Sequence, residues 1–347
     1  MRKTVLKMGS AVLLSMYLAG VASAGLPEGL AAYDRSDYAV AYRELAPLAA
    51  AGNLQAQERV AFMHMYGDGT PQNFKEAMRL NRLAAAKGSA KAQYRVGVMY
   101  IEGMGVPVDV RESVKWVTQA AEQNYDSAQS TLGLIYLKGA PNVPKNQTEA
   151  NKWLGRAAAQ GEPEAMVEMS EIYFIGIGVK QNWPEGSRLL RGAAEKKDSR
   201  AQAGLANRLL EGVVMSRNAE DAHKWAMASA NQGYHMGQRL LGLMYANGDG
   251  VVQDSVEAMK WLRLAGAQND GAALMAMGLH YADALGVKQS LVVAHAIWAA
   301  VEPTAAKDAL SKIEPKMSPA ELAAARALST EMLKPGNFLK ALDAYRI

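Results

Sequence analysis

Five histidines are the side chains of this 347-residue chain that could exchange protons or bind a metal near neutral pH. They are His64, His223, His235, His280 and His295. No two of them form an H-E-x-x-H motif or lie four residues apart, so no helix face presents the imidazole pair of a zinc site. The chain has no cysteine, which excludes thiolate zinc sites and disulfide bonds. The sequence therefore predicts no metal and no other cofactor.

Motifs of other catalytic classes are missing as well. The chain contains no G-x-S-x-G nucleophile elbow and no G-x-x-x-x-G-K-[ST] phosphate loop, and its G-x-G pairs lack the third glycine of a dinucleotide site. Asp68 and Asp249 each precede a glycine, but a calcium loop needs several oxygen ligands at alternating positions. We interpret both aspartates as turn residues. The sequence predicts no catalytic residue and a chain that is not an enzyme.

A repeat supplies the elements that would position any functional side chain. One glutamine recurs along the chain, with Met166 and Leu274 at the two substituted places. The glutamines are Gln57, Gln93, Gln129, Gln202 and Gln238. The steps between successive positions are 36, 36, 37, 36, 36 and 36 residues. A fixed period of this size is typical of a repeat array.

Each repeat contains the pattern of two short helices joined by a glycine loop. In residues 90–125 we predict a first helix over about 91–102 and a second over about 110–123, with Asp109 as the N-cap of the second. Gly97 costs the first helix roughly 1 kcal/mol relative to alanine, and therefore predicts the close approach of a neighbouring helix. One hairpin of this size cannot bury its apolar face, so stacked neighbours must complete the core.

The repeated pattern A-x-A-Q-x-x-L-G-x-M-Y-x-x-G-x-G-V, followed by D, A-x-K-W and A-A, resembles the SEL-1-like (SLR) repeat of the tetratricopeptide superfamily. The resemblance covers about residues 40–330. It implies an all-α fold, an α/α right-handed superhelical solenoid, and a role as scaffold or adaptor, but no reaction. The expected organisation is a signal peptide at 1–24, N-terminal capping helices at 25–53, seven repeats at 54–306, and a C-terminal capping helix and tail at 307–347.

Two features of the C-terminal segment suggest how the stack is closed. Ser318 and Glu321 match a helix capping box. The tail carries an apolar stripe that could dock on the last repeat or bind a partner, and we predict docking. The stripe is Phe338, Leu339, Leu342 and Tyr345.

The N-terminal 24 residues have the three parts of a secretory signal peptide. A basic start is followed by an apolar run over 11–21 and by the small residues Ala22, Ser23 and Ala24. The apolar run is too short to span a bilayer. We therefore expect cleavage near Ala24 and a periplasmic or secreted bacterial protein.

Export changes the charge that a partner would meet. The whole chain has 38 basic and 34 acidic residues, a net charge of +4. Removing the three basic residues of the signal segment leaves 35 against 34, or +1. With no Lys/Arg-rich run in the chain, nucleic acid and anionic lipid are poor candidates for the partner. The sequence does not indicate the oligomeric state.

The expected partner is another protein or a peptide, bound on the concave face. In stacks of the superfamily that this chain resembles, the first helix of each repeat lines that face. Extended peptides fit grooves that combine aromatic, apolar and charged side chains. Transferring the superfamily's groove positions to this chain predicts Glu58, Phe62, Tyr66, Lys91, Tyr94, Val98, Glu102, Ser130, Lys138, Glu171, Phe174, Arg200, Asn207, Arg239 and Asn247.

Other functions remain open from the sequence. One is a cell-envelope accessory that binds peptidoglycan fragments, and another is secretion to act on a host protein. Weak β-lactam hydrolysis is known among cysteine-rich relatives of the repeat family. However, this chain has no cysteine and no S-x-x-K acylation motif. The principal hypothesis is an exported protein-binding scaffold.

Overall fold

The computed structural model describes residues 25–301 and 303–345, except for the side chains of residues 303–305. These residues form helices and loops without a strand, and an isolated bridge joins Ala140 to Val143. They divide into two compact units at Glu162 and Pro163. The predicted signal segment lies outside the described residues. The chain is thus all-α, as the repeat pattern predicts.

The N-terminal unit, residues 25–162, consists of an entry hairpin and three repeats. Its helices are α1 (Leu26–Asp34), α2 (Tyr38–Ala50), α3 (Leu54–Tyr66), α4 (Phe74–Ala86), α5 (Ala90–Glu102), α6 (Val110–Glu122), α7 (Asp126–Lys138) and α8 (Gln147–Ala159). Each helix packs on the next one in the chain, and the observed bounds of α5 and α6 agree with the predicted ones to within one residue.

The C-terminal unit, residues 163–345, continues with helix pairs and ends in closing helices. Its helices are α9 (Pro163–Ile175), α10 (Trp183–Glu195), α11 (Ser199–Glu211), α12 (Ala219–Asn231), α13 (His235–Asn247), α14 (Ser255–Gly266), α15 (Gly271–Ala282), α16 (Leu291–Ala299), α17 (Pro303–Ile313), α18 (Pro319–Met332) and α19 (Phe338–Ala344). A 3₁₀ turn, Glu314–Lys316, separates α17 from α18.

Polar caps start the second helix of each hairpin. The side chains of Asn73, Asp109 and Asn146 accept hydrogen bonds of 3.1, 3.0 and 3.1 Å from the backbone N–H three residues later. An N-cap of this kind satisfies a donor that the first helical turn leaves without an intrahelical partner, and typically contributes about 1 kcal/mol. The caps explain why the loops end where they do.

Glycines allow close approach both in the loops and within helices. A Cβ on Gly105, which has φ of 73°, would lie 2.6 Å from the carbonyl oxygen of Phe74 at the start of α4. A Cβ on Gly97, in the middle of α5, would lie 2.4 Å from Cγ2 of Val117 on α6. The prediction that Gly97 marks the close approach of a neighbouring helix is confirmed.

The recurring glutamine connects adjacent hairpins. In the N-terminal unit, Nε2 of Gln129 donates to the carbonyl oxygen of Ala121 at 3.0 Å, and its Oε1 accepts from Nε2 of Gln160 at 2.8 Å. Gln93 repeats this arrangement with Ala85 and Gln123, at 3.4 and 2.7 Å. The sequence shows the periodicity of this glutamine, but the bonds that it makes come only from the structure.

In the C-terminal segment, helix α18 packs on α16. Ser318 and Glu321 form the capping box: the Ser318 N–H donates to Glu321 Oε2 at 2.8 Å and the Glu321 N–H to Ser318 Oγ at 3.3 Å. Phe338 and Leu342 of α19 are buried in the same apolar core as Met277 of α15. The predicted docking of the tail is therefore confirmed.

Candidate binding surface

An aromatic–arginine cluster lies on the N-terminal unit. It consists of Tyr33 on α1, Arg59, Phe62 and Tyr66 on α3, and Arg95 on α5. The Phe62 ring centroid is 6.3 Å from that of Tyr33 and 4.4 Å from that of Tyr66. Tyr66 is 60% exposed, so the row of rings ends in solvent. The Tyr33 and Phe62 rings meet edge to face and the Phe62 and Tyr66 rings are tilted by 42°, so the three side chains form one packed aromatic surface.

The two arginines of the cluster lie over its rings. Cζ of Arg59 is 4.7 Å from the Tyr33 ring centroid, and Cζ of Arg95 is 5.0 Å from that of Phe62. Nη1 of Arg95 also donates to the carbonyl oxygen of Glu58 at 2.8 Å. These cation–π contacts hold the guanidinium groups in fixed places along the ring faces.

The cluster is extended by Lys91 and Tyr94 on α5 and by Tyr125, the residue before α7. The ring centroids of Tyr94 and Tyr125 are 5.3 Å apart. Burial lowers the pKa of Lys91, and the nearby charges of Arg95 and Arg59 lower it further. Burial likewise lowers the pKa of Arg95, against the opposing effect of the Glu58 carboxylate. The cluster therefore concentrates positive charge in partly dehydrated surroundings.

The C-terminal unit uses its charged side chains differently. Nη2 of Arg200 lies 2.6 Å from Oε1 of Glu168, an ion pair that joins α11 to α9. Nη2 of Arg208 lies 2.8 Å from Oε2 of Glu171, between the same two helices. The predicted groove residues Glu171 and Arg200 thus hold neighbouring first helices together.

Further along this unit, a buried carboxylate likewise pairs with cations of another helix. Asp270 is 5% exposed and caps α15 by accepting from the Ala273 N–H at 3.0 Å. Its carboxylate also lies 2.7 Å from Nδ1 of His235 and 3.4 Å from Nη1 of Arg239. The predicted groove residue Arg239 is therefore part of an internal charge network.

Two of the predicted groove residues are buried. Phe174 is 5% exposed, and its ring lies under Arg208 with Cζ 5.1 Å from the centroid. Ser130 is 2% exposed. Both predictions were wrong, because the packed helices bury both side chains and Arg208 covers the ring of Phe174. The other predicted residues remain on the surface, fully or in part: Glu58, Phe62, Tyr66, Lys91, Tyr94, Val98, Glu102, Lys138, Asn207 and Asn247.

Four members of the cluster, counted with Lys91, Tyr94 and Tyr125, are missing from the sequence prediction: Tyr33, Arg59, Arg95 and Tyr125. A signal for two of them exists, because Arg59 and Arg95 both stand two residues after the recurring glutamine. Tyr33 offers no such signal, since it lies on α1, before the first repeat. Only the packing of α1 against α3 brings its ring to Arg59.

Two of the histidines contact other groups of the protein itself. His64 is buried, with Nε2 3.4 Å from the Tyr42 hydroxyl, and Nδ1 of His280 lies 2.8 Å from the carbonyl oxygen of Leu285. Within residues 25–301 and 303–345, no three His, Asp or Glu side chains are placed to hold a metal ion. In the same residues, every helix falls short of the length and apolarity needed to cross a bilayer.

Comparisons with known proteins agree with this architecture. The sequence model of the Sel1 repeat matches six consecutive segments: residues 54–89, 90–125, 126–162, 163–198, 199–234 and 235–270. No curated protein matches the chain in sequence.

Two solved structures are similar over most of the chain. A protective antigen of uropathogenic Escherichia coli strains, which displays an SLR fold, has a TM-score of 0.80 and 25% identity, over 89% of this chain and 68% of that one. A Sel1 repeat protein from Oxalobacter formigenes has a TM-score of 0.64 and 30% identity, over 70% of this chain and 96% of that one.

Proposed function

The chain belongs to the Sel1 repeat family, whose members generally act as scaffolds for protein interactions, and we propose that it binds a protein partner through the aromatic–arginine cluster of its N-terminal unit. A solenoid of this family is typically a non-enzymatic scaffold, and we propose no reaction for this one. The partner would lie as an extended segment across the first helices α3 and α5.

The observation that carries this proposal is the exposed ring of Tyr66 beside Phe62. Their centroids are 4.4 Å apart, and Tyr66 is 60% exposed. Aromatic and arginine side chains are the types that most often dominate binding energy at protein interfaces. Here both types are held in place by contacts within the unit, so little ordering would be needed when a partner binds.

The pairing of charges supports the N-terminal unit over the C-terminal one as the site. Arg200, Arg208 and Arg239 form ion pairs with Glu168, Glu171 and Asp270, three carboxylates of their own unit. A partner competing for those arginines would first have to break an existing pair. The cluster around Phe62 needs no such exchange.

Export is a further part of the proposal. The basic start, apolar run and small-residue site of residues 1–24 support a cleaved signal peptide and a periplasmic or secreted protein. Expression of the full chain in a bacterium, fractionation and intact-mass measurement test this proposal. We expect an envelope or culture-medium protein that begins at Gly25. An unprocessed protein that starts at Met1 would contradict export.

A peptide selection tests the binding site. The chain that begins at Gly25 is immobilised and used to enrich binders from a library of random short peptides, and the dissociation constants of the enriched peptides are measured. We expect Tyr66→Ala to weaken binding about tenfold or more, as for an interface residue whose truncation costs about 1.4 kcal/mol or more.

Val252→Ala is the matched control, because Val252 is 87% exposed but lies on the C-terminal unit. This variant should bind like the unaltered chain. The proposed function fails if no peptide is enriched, or if Tyr66→Ala and Val252→Ala bind equally well.

A further inference from the structure

Three cations of the extended cluster have no acidic partner. Arg59, Lys91 and Arg95 form no ion pair with any part of the chain that the structure describes. Cations on the second helices differ: Arg79 and Arg188 lie 2.7 and 2.6 Å from glutamate oxygens three residues earlier in the chain. The three first-helix cations therefore remain available to an anion from outside.

Their surroundings disfavour unpaired charge. All three side chains are partly buried, and burial is the main cause that lowers the pKa of both Lys91 and Arg95. Arg59 adds to the effect through its own positive charge. Cations brought together in partly dehydrated surroundings are destabilised until an anion neutralises them. The free protein thus bears an electrostatic cost that a suitable ligand would remove.

Glu58, an acidic residue beside these cations, offsets part of their charge, because its carboxylate favours the charged forms of Lys91 and Arg95 without forming an ion pair with either. Its Oε1 lies 2.5 Å from Oγ of Ser89, so the carboxylate is held by a hydroxyl group. Arg95 contacts Glu58 through the backbone carbonyl oxygen instead. Asp68 and Asp126 lie near Tyr33 and Tyr125 of the cluster, but in the residues that the structure describes neither forms an ion pair with the three cations.

We propose that the partner is an acidic segment, whose aspartate or glutamate side chains contact Arg59, Lys91 and Arg95 while its apolar side chains pack on Phe62 and Tyr66. This inference rests on the proposed function and adds the chemistry of the partner. Guanidinium groups form planar, bidentate hydrogen bonds with carboxylates, and such charge-assisted bonds are about twice as strong as neutral ones.

The arrangement of the cluster favours a peptide over a phosphate or a lipid surface. Rings of Tyr33 and Phe62 lie beneath the two guanidinium groups. A binding surface that alternates cations and rings matches a chain that alternates carboxylates and apolar groups. Glu58 would repel a compact dianion such as phosphate, whereas single carboxylates spaced along a peptide can avoid it.

The peptides enriched by the selection described above test this inference directly. We expect them to carry a net negative charge, with Asp and Glu over-represented relative to the unselected library. Arg59→Gln and Lys91→Gln should each weaken binding about tenfold to a hundredfold, the range for a lost hydrogen bond to a charged group. Arg95 is left unchanged because its side chain also holds the Glu58 carbonyl oxygen.

Arg79→Gln is the matched control, since it removes the same charge from the second helix α4 and should leave binding unchanged. Circular dichroism spectra and thermal unfolding curves show whether each variant is folded. Raising the salt concentration from about 0.1 M to about 1 M shortens the Debye length from about 10 to about 3 Å. The unaltered chain should therefore bind the acidic peptides more weakly at high salt than at low salt.

The possible failures are distinguishable. If peptides are enriched and lost in Tyr66→Ala, but are neutral or basic, the proposed function stands and this inference is overturned. The same holds if acidic peptides bind the Arg59→Gln and Lys91→Gln variants as tightly as the unaltered chain. In a third outcome, the peptides show no binding when their dissociation constants are measured, whereas vesicles of phosphatidylglycerol and phosphatidylcholine bind the chain. Both the peptide site and its acidic ligand are then rejected.

Discussion

Replacing Gln129 by methionine should weaken the junction between two adjacent hairpins of the N-terminal unit. The side chain is fully buried and makes three hydrogen bonds. Its Nε2 donates to the carbonyl oxygen of Ala121 at 3.0 Å and to Oδ1 of Asn124 at 3.1 Å, and its Oε1 accepts from Gln160 at 2.8 Å. Methionine has nearly the same length and volume but no donor or acceptor of comparable strength.

The expected loss can be worked out from what each partner keeps. A protein hydrogen bond contributes about 1 kcal/mol net, so three bonds represent about 3 kcal/mol. Ala121 keeps a bond from the Asn124 N–H, and the exposed Asn124 and Gln160 side chains can bond to water instead. The buried thioether recovers part of the loss through apolar packing. We therefore expect Gln129→Met to lower the free energy of unfolding by about 1.5 kcal/mol.

Urea unfolding followed by circular dichroism measures this difference. Gln129→Ala should cost about 3 kcal/mol, because it adds a cavity to the lost bonds. Gln55→Met is the matched control, since Gln55 is exposed on α3 and its replacement should change stability by less than about 0.5 kcal/mol. The reasoning is refuted if Gln129→Met and Gln55→Met unfold at the same urea concentration, because the glutamine bonds would then contribute nothing.

Two other changes test the packing and the charge network. Gly97→Ala places a Cβ 2.4 Å from Cγ2 of Val117 and should destabilise the chain by about 1–3 kcal/mol, whereas Gly155→Ala meets no atom within 4 Å and should stabilise it by roughly 0.5–1 kcal/mol; equal melting temperatures would contradict this. Burial by itself raises the pKa of Asp270, but the hydrogen bond from His235 and other favourable contacts lower it below its ordinary value. The stability from this carboxylate is therefore present above about pH 4 and lost as the pH falls through the lowered pKa. Asp270→Asn should flatten the acid side of the stability–pH curve measured by urea unfolding, and an unchanged curve would count against it.

The proposed binding surface was predicted from the sequence only in part. Phe62, Tyr66, Lys91 and Tyr94 were assigned by transferring the groove positions of the superfamily that the chain resembles, and they do lie at the cluster. Spacing fixes the direction of a side chain relative to its own helix, but not what the next helix places over it. Phe174 shows the limit: it was predicted to line the groove, yet its ring is covered by Arg208.

The sequence likewise did not predict which arginines form ion pairs. Arg95 and Arg208 both lie on first helices, and nothing in their local sequence separates a free cation from a paired one. Arg208 meets Glu171 from the neighbouring first helix at 2.8 Å, whereas Arg95 meets the ring of Phe62 and a backbone carbonyl oxygen. Whether an arginine is paired therefore depends on which residue the neighbouring repeat places beside it, Glu171 for Arg208 and Phe62 for Arg95.

The amino-acid sequence by itself determined the class of fold, the length of the repeat and the ends of the helices. These depend on local causes: the apolar period of a short helix, the N-cap of Asp109, and the room that only a glycine such as Gly97 leaves. The tertiary structure alone decided which side chains are free to bind. Availability depends on contacts between residues about one repeat apart, and these exist only once the hairpins have stacked.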